Sequence, residues 1–308
     1  MAVTLVEPEL KPASAQGRKP SLRRRVAHLP IYVVLIIGGV IFAAPFAWLI
    51  SASFQTSGDI FSWPPKWIPE NPTFDGYISF FTETNAAQWF LNSTFVAGSV
   101  TFLQLFFNSL AAFVFAKRKF PGRDIIFILV LATMMVPPQV TMIPNYLILQ
   151  HFPLFGGNDL LGQGGHGMLD SYWGLILPGA VSAFGIFLLR QFMMGIPDEL
   201  LDAARIDGAS EFKVYLRIML PLSRPVLAAT AIFTFMSAWE DFLWPLIILS
   251  DESKFTAPLG LAMFVQKNQT DWGLLLAGSV IATLPMVIIF IIFQRQFIQG
   301  IAMSGLKG

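Results

Sequence analysis

The chain has 308 residues, of which 55% are hydrophobic and 13% charged, with a mean hydropathy of +0.62 and a net charge of +1. An ordinary soluble domain is about a quarter charged, so this composition argues against a chain built for water alone. It contains no cysteine, which excludes disulfides and thiolate metal sites, and His28, His151 and His166 lie too far apart in sequence to favour a histidine-built metal or catalytic site.

A hydrocarbon core of ~30 Å needs about 20 apolar residues in a helix. Residues 1–29 carry Arg23, Arg24 and Arg25 and read as a disordered segment. Residues 31–50 then run without a charge. They exceed the usual core of a secretion signal, and Ala43-Ala44-Pro45 falls in mid-span, so they read as an uncleaved helix. Residues 54–88, with Trp63-Pro64-Pro65-Lys66-Trp67, form a long loop. The uncharged runs 90–116 and 125–150 are long enough to span with tilt or a kink. A second loop, 151–171, holds Gly156-Gly157 and Gly162-Gln163-Gly164-Gly165. It is not a phosphate loop, because no Lys-Ser/Thr follows. Residues 172–189 make a shorter span. Residues 225–250 are interrupted once, by Glu240-Asp241, and 272–294 complete a set of six. Backbone groups in lipid must be satisfied internally, so spans this apolar predict an all-α polytopic membrane protein with six transmembrane helices.

Six spans put both termini and the loops at 117–124 and 190–224 on one side, with 17 of the 20 lysines and arginines. The other side has Lys66, Lys254 and Lys267 against nine acids, Asp59, Asp170 and Asp271 among them. The basic side is expected to be cytoplasmic. Trp63, Trp67, Trp89, Trp173 and Trp272 fall near the expected boundaries, where interfacial aromatics belong.

The longest cytoplasmic loop between spans is 196–225. Pro197-Asp198-Glu199 reads as a helix start, since proline is tolerated early and acids suit the positive end of the dipole. Asp207-Gly208 turns the chain, and Ser210 is placed to cap a second helix. Phe212, Tyr215, Leu216, Met219 and Leu220 recur at helical spacing, and Pro221 and Pro225 close the segment. Pattern alone leaves two readings open: an amphipathic connection lying on the membrane surface, or a docking element for a soluble partner.

Asp202-Ala203-Ala204-Arg205-Ile206-Asp207-Gly208-Ala209-Ser210 followed by Ile218-Met219-Leu220-Pro221 resembles the EAA loop of ABC importer permeases. In that family Glu-Ala-Ala is followed by three residues, Gly, nine residues and Ile-x-Leu-Pro. Both spacings recur here, with Asp202 in place of the first Glu, which keeps the acid and shortens its reach. The wider run from Ile196 to Ala209 resembles the carbohydrate branch, of maltose and glycerol-phosphate type. So do Phe120-Pro121-Gly122-Arg123, the stretch from Ala238 to Leu246, and the tail from Gln296 to Gly308. The resemblance implies a six-helix permease domain at 30–300, with a cytoplasmic N-terminal segment at 1–29 and a cytoplasmic tail at 301–308, in a bacterial inner or plasma membrane. It also implies a coupling role for Asp202, Ala203, Ala204, Asp207, Gly208, Tyr215, Leu220 and Pro221. Leu201, Ala204, Tyr215 and Met219 are expected to fill a pocket of the partner. The partners implied are a second homologous permease, two ATP-binding cassette subunits that use ATP and Mg, an external sugar-binding protein and membrane lipid, with no nucleic acid. This chain itself is expected to bind no cofactor and to catalyse no reaction.

Ionisable residues within a span are functional candidates by default. Glu240 and Asp241, flanked by Trp239, Phe242 and Trp244, suit a sugar, which presents hydroxyls to carboxylates and apolar ring faces to aromatics. The alternative is a structural pair bonded to a neighbouring helix. Asn145 and Tyr146 follow Pro137, Pro138 and Pro144, and proline-broken helices often line cavities. Asn92, Gln104 and Asn108 read as interhelical hydrogen-bonding residues. An ion-coupled secondary transporter or a structural pore subunit would also explain the spans, although neither needs the loop spacing at 196–225.

Overall fold

The computed structural model describes residues 29–265 and 270–305. The segment 1–28 and the last three residues lie outside the described residues, so the expected disorder of 1–29 falls almost wholly outside them. The chain divides into two units, 1–49 and 50–308. The first contributes most of α1 (Leu29–Ala52), an apolar helix whose side chains, Val34, Leu35, Ile36 and Phe42 among them, are exposed.

Within the second unit the elements follow in order: α2 (Asp75–Thr82), α3 (Ala86–Lys117), α4 (Arg123–Thr133), α5 (Pro138–Gln150), α6 (Tyr172–Ile176), α7 (Ala183–Met194), α8 (Asp198–Ile206), α9 (Glu211–Leu222), α10 (Arg224–Glu240), α11 (Leu243–Ile248), α12 (Ala257–Ala262) and α13 (Trp272–Gly305). No strand occurs among the described residues. Three helices, α1, α3 and α13, are each long and apolar enough to cross a membrane, and the number is five if two bent pairs count as one crossing each. One pair is α4 with α5, bent by 99° where Pro137 and Pro138 interrupt the helix. The other is α9 with α10, bent by 79° at Ser223, with Pro225 in the first turn of α10.

The expected span 172–189 is instead two pieces. α6 stops at Ile176, Pro178 and Gly179 lie in the break, and α7 restarts with Ser182 as its cap and continues to Met194. The expected interruption at Glu240-Asp241 falls where α10 ends and the backbone turns extended at Asp241. The last helix passes the expected boundary at 300 and continues to Gly305.

Lipid tails are as apolar as leucine, so helices in a membrane associate through packing and polar bonds rather than by escaping water. α3 is the central post for both. Its Asn92 amide donates to the carbonyls of Ser253 and Phe255, each at 2.9 Å, and its Ser93 hydroxyl accepts from the Ala257 amide at 2.7 Å. Lower on the same helix the Gln104 amide donates to Gly179 O at 2.8 Å, and Asn108 accepts from the Ser182 amide at 3.0 Å. These two bonds satisfy backbone groups freed by the break between α6 and α7. The side chain of Asn108 lies against Gly185, where a Cβ would collide with its amide. The polar residues on this post are therefore interhelical, in agreement with the sequence reading.

Of the expected interfacial tryptophans, Trp63, Trp67, Trp173 and Trp272 are exposed. Trp89 is a core residue instead: it is 1% exposed, and its indole N–H donates to Glu252 O at 3.0 Å.

Candidate functional site

The first part of the site is the helix–turn–helix formed by α8 and α9. Pro197 is extended, Asp198 and Glu199 occupy the first turn of α8, and the helix ends at Ile206. Gly208 then adopts φ +79°, with its amide bonded to Arg205 O at 3.0 Å and the Ala209 amide to Ala204 O at 2.9 Å. This is the paired closure of a Schellman turn. A Cβ at Gly208 would meet nothing within 4 Å, so glycine is required by the backbone and not by space. An ordinary L-residue in this conformation costs about 1–2 kcal/mol. Ser210 caps α9 through the Lys213 amide, and residues Tyr215–Met219 form a π-helical turn within that helix.

Charged residues brace this element. Lys117, at the end of α3, has a side chain only 5% exposed, and its ammonium donates to Ile196 O at 2.5 Å and to Asp198 Oδ1 at 2.7 Å. The Lys117 ammonium holds the Asp198 carboxyl below the usual carboxylate range. Arg118 reaches Glu211 Oε1 at 2.7 Å. Arg205 joins Glu211 at 2.9 Å and Asp202 at 2.6 Å, so Asp202 is paired within its own helix while remaining exposed. Sequence reasoning did not single out Lys117 or Arg118. The available signal was a pair of cations directly after a long uncharged run.

The expected pocket-filling role of Leu201, Tyr215 and Met219 is corrected by their burial. All three are at most 1% exposed, packed with Phe113, Leu189, Met193 and Val214 inside the chain's own core. The Tyr215 hydroxyl is 2.7 Å from Ser109 Oγ on α3. Ala204, Leu220 and Pro221 are half-buried. What the element presents outward is Asp202, Ala203, Asp207 and Gly208 together with Leu200, Phe212, Leu216 and Ile206, the last 86% exposed. The apolar stripe of α9 is thus divided between two faces.

The second part is a cavity of about 700 Å³ at three of the helix breaks, those before α5, before α7 and before α11. Pro138 and Asn145 come from α5, Pro178 and Gly179 from the break before α7, Glu240 from the end of α10, Asp241 from the break after it and Trp244 from the first turn of α11. Irregular backbone in a membrane is tolerated where it lines a cavity. Trp244 is held in the wall by its indole N–H, which donates to Gly174 O at 3.1 Å. Asp241 Oδ1 accepts from the Trp244 amide at 3.3 Å, so this carboxylate supports α11 as well as facing the cavity. Two sequence candidates lie elsewhere. Trp239 is 3% exposed, stacks on Phe235 and donates to Ala282 O at 3.2 Å, while Tyr146 packs against the core around Trp89. Both face inward because α5 and α10 turn only one stripe towards the breaks. Gln139, Ser237 and Thr256 line the cavity and were not anticipated. Among the described residues no cluster of side chains is suited to a metal ion.

The fold and these two features define a multi-pass helical membrane protein of the transport class. Residues 108–303 match the model of the binding-protein-dependent transport system inner membrane component family, and the chain belongs to that family. The chain is 37% identical to the arabinooligosaccharides transport system permease protein AraQ of Halalkalibacterium halodurans, over 91% of this chain and 98% of the relative. It is 31% identical to the sn-glycerol-3-phosphate transport system permease protein UgpE of Yersinia pestis, over 91% and 98%. Its fold matches a chain of a bacterial ABC transporter involved in the import of the acidic polysaccharide alginate, with a TM-score of 0.76 and 21% identity over 90% of this chain and 98% of that one. The chain is therefore a permease component of an ABC importer, not an enzyme.

Proposed function

We propose that this chain is one of two permease subunits of an ATP-driven importer that carries a saccharide or related polyol derivative across a bacterial plasma membrane. It crosses six times, with both termini, 1–29 and 301–308, in the cytoplasm. A second homologous permease completes the pore, two ATP-binding cassette subunits use ATP and Mg, and an external binding protein delivers the substrate. The chain binds no cofactor of its own.

The observation that carries this reading is the exposed turn at Gly208, presented by two short helices and braced onto α3 through Lys117 and Arg118. Its outer surface suits an ATPase groove: small at Ala203 and Gly208, apolar at Ile206 and acidic at Asp202 and Asp207. Its inner surface packs on the helices that also carry the cavity. The placement of 17 of 20 cations supports the topology, and the names of the curated relatives support the substrate class. The Gly208→Asp variant is expected to insert and assemble, but to lose uptake driven by ATP. Uptake at the wild-type rate by this variant would refute the docking role.

A further inference from the structure

The cavity wall has charge of one sign. Glu240 and Asp241 line it, and among its described lining residues there is no lysine, arginine or histidine. The remaining polar groups are neutral, including the amides of Gln104, Gln139 and Asn145. Thr256 adds a separate observation. It lines the cavity, is 3% exposed, and its Oγ1 has no hydrogen-bond partner among the described residues. Buried hydroxyls are normally paired; this one is left unpaired inside the wall, behind the cavity's surface.

Carboxylates accept hydrogen bonds, amides both donate and accept, and the face of Trp244 packs against an apolar ring face. The hydroxyls of an uncharged ligand meet acceptors in Glu240 and Asp241 and amides in Gln139 and Asn145 here. A uronate or a phosphate ester would shed water against two like charges and meet no counter-charge from this wall.

We propose that this cavity passes uncharged saccharides and rejects anionic ones, with Glu240 and Asp241 as the charge filter. The substrate class rests on the importer reading above.

Because the chain has no cysteine, Ser237→Cys puts a single thiol on its part of the cavity wall, about one helical turn from both carboxylates. In the reconstituted complete transporter, this thiol is modified with trimethylammonioethyl and with sulfonatoethyl methanethiosulfonate, and labelling of this chain is read by mass. Each rate is divided by that of the same reagent with free 2-mercaptoethanol. The filter predicts a normalised cation-to-anion ratio of about 10 or more, falling towards about 1 when Glu240→Gln and Asp241→Asn are added. A ratio near unity in both backgrounds overturns it. In parallel, ATP-driven uptake is measured for lactose, arabinotriose and xylobiose and for their aldonic acids. Uptake of a neutral sugar with exclusion of its acid supports the proposal. Equal uptake of an acid overturns the filter and leaves the importer standing. Failure to take up any saccharide, neutral or acidic, overturns the importer reading and the saccharide assignment with it.

Discussion

Replacing Lys117 by methionine removes an ammonium group and keeps the stem that packs at the end of α3. The side chain is 5% exposed and bonds two groups at the start of the α8 segment, Ile196 O at 2.5 Å and Asp198 Oδ1 at 2.7 Å. The two bonds differ in weight. A charge-assisted bond to a backbone carbonyl contributes about 1.5–3 kcal/mol. The pair with Asp198, whose side chain is 72% exposed, is screened by solvent and contributes less than about 1 kcal/mol. Lys117→Met is therefore expected to loosen the junction by about 2–3 kcal/mol, and Asp198→Asn by less than about 1 kcal/mol. If α3 and the turn at Gly208 must move as one body, the loosened junction wastes ATP. Sugar imported per ATP hydrolysed should fall several-fold in Lys117→Met, remain near wild type in Asp198→Asn, and recover in part in Lys117→Arg. The assay is paired measurement of uptake and phosphate release in proteoliposomes. Equal effects from Lys117→Met and Asp198→Asn, or none from either, would refute the reasoning.

Three further outcomes are expected. Tyr215→Phe removes the hydroxyl bonded to Ser109 and should lower the thermal stability of the purified complex by about 1 kcal/mol; because the ring is buried, coupling should persist, and a coupling defect without loss of stability would mean that Tyr215 meets the partner after all. Gly185→Ala drives a methyl group into the Asn108 amide and should cost about 1–3 kcal/mol, seen as a lower unfolding temperature in detergent, whereas an unchanged temperature would show that α3 and α7 can separate freely. At the outer loops, burial pushes the Asp170 carboxyl up, but the Lys254 ammonium and the Ser250 and Asp251 amides outweigh burial and hold it below its ordinary value near 3.8. Its contribution is present above that value and is lost as pH falls through the lower folded value. The Asp170 bond raises Lys254 above 10.5, so that contribution is present below 10.5 and is lost as pH rises through the higher folded value. Asp170→Asn, which tolerates the local φ of +50°, should remove its share of the acid limb of the stability profile and leave the shares of Asp59, Asp198, Glu211 and Asp251, and an unaltered limb would count against the pairing.

Much of this molecule was legible in hydropathy and local chain chemistry. Long uncharged runs marked α1, α3 and α13, and Asp207-Gly208 marked a turn whose left-handed glycine is a purely local requirement. Glu240-Asp241 marked the end of α10, because acids in an apolar run cannot face lipid at low cost. What escaped was set by distant parts of the chain. Periodicity revealed the stripe of Tyr215, Leu216 and Met219 but not its partner; the covering surface comes from Phe113, Leu189 and Met193, far away in sequence. The split between α6 and α7 did leave a local mark, Pro178-Gly179, but the apolar run masked it. The backbone groups freed there are paired by Gln104 and Asn108, 74 or more residues away. Thr256 reaches the cavity only because its loop is tied to Asn92 and Ser93. Tyr146 and Trp239 show the reverse error, for they neighbour lining residues in sequence and point away from the cavity in space.

The most direct test of the account is ATP hydrolysis by the purified complex in lipid, with and without its liganded binding protein. An ATPase subunit is expected to co-purify, and the liganded binding protein to raise hydrolysis several-fold in wild type but not in Gly208→Asp. A complex that carries no ATPase, and whose uptake follows an ion gradient, would contradict it.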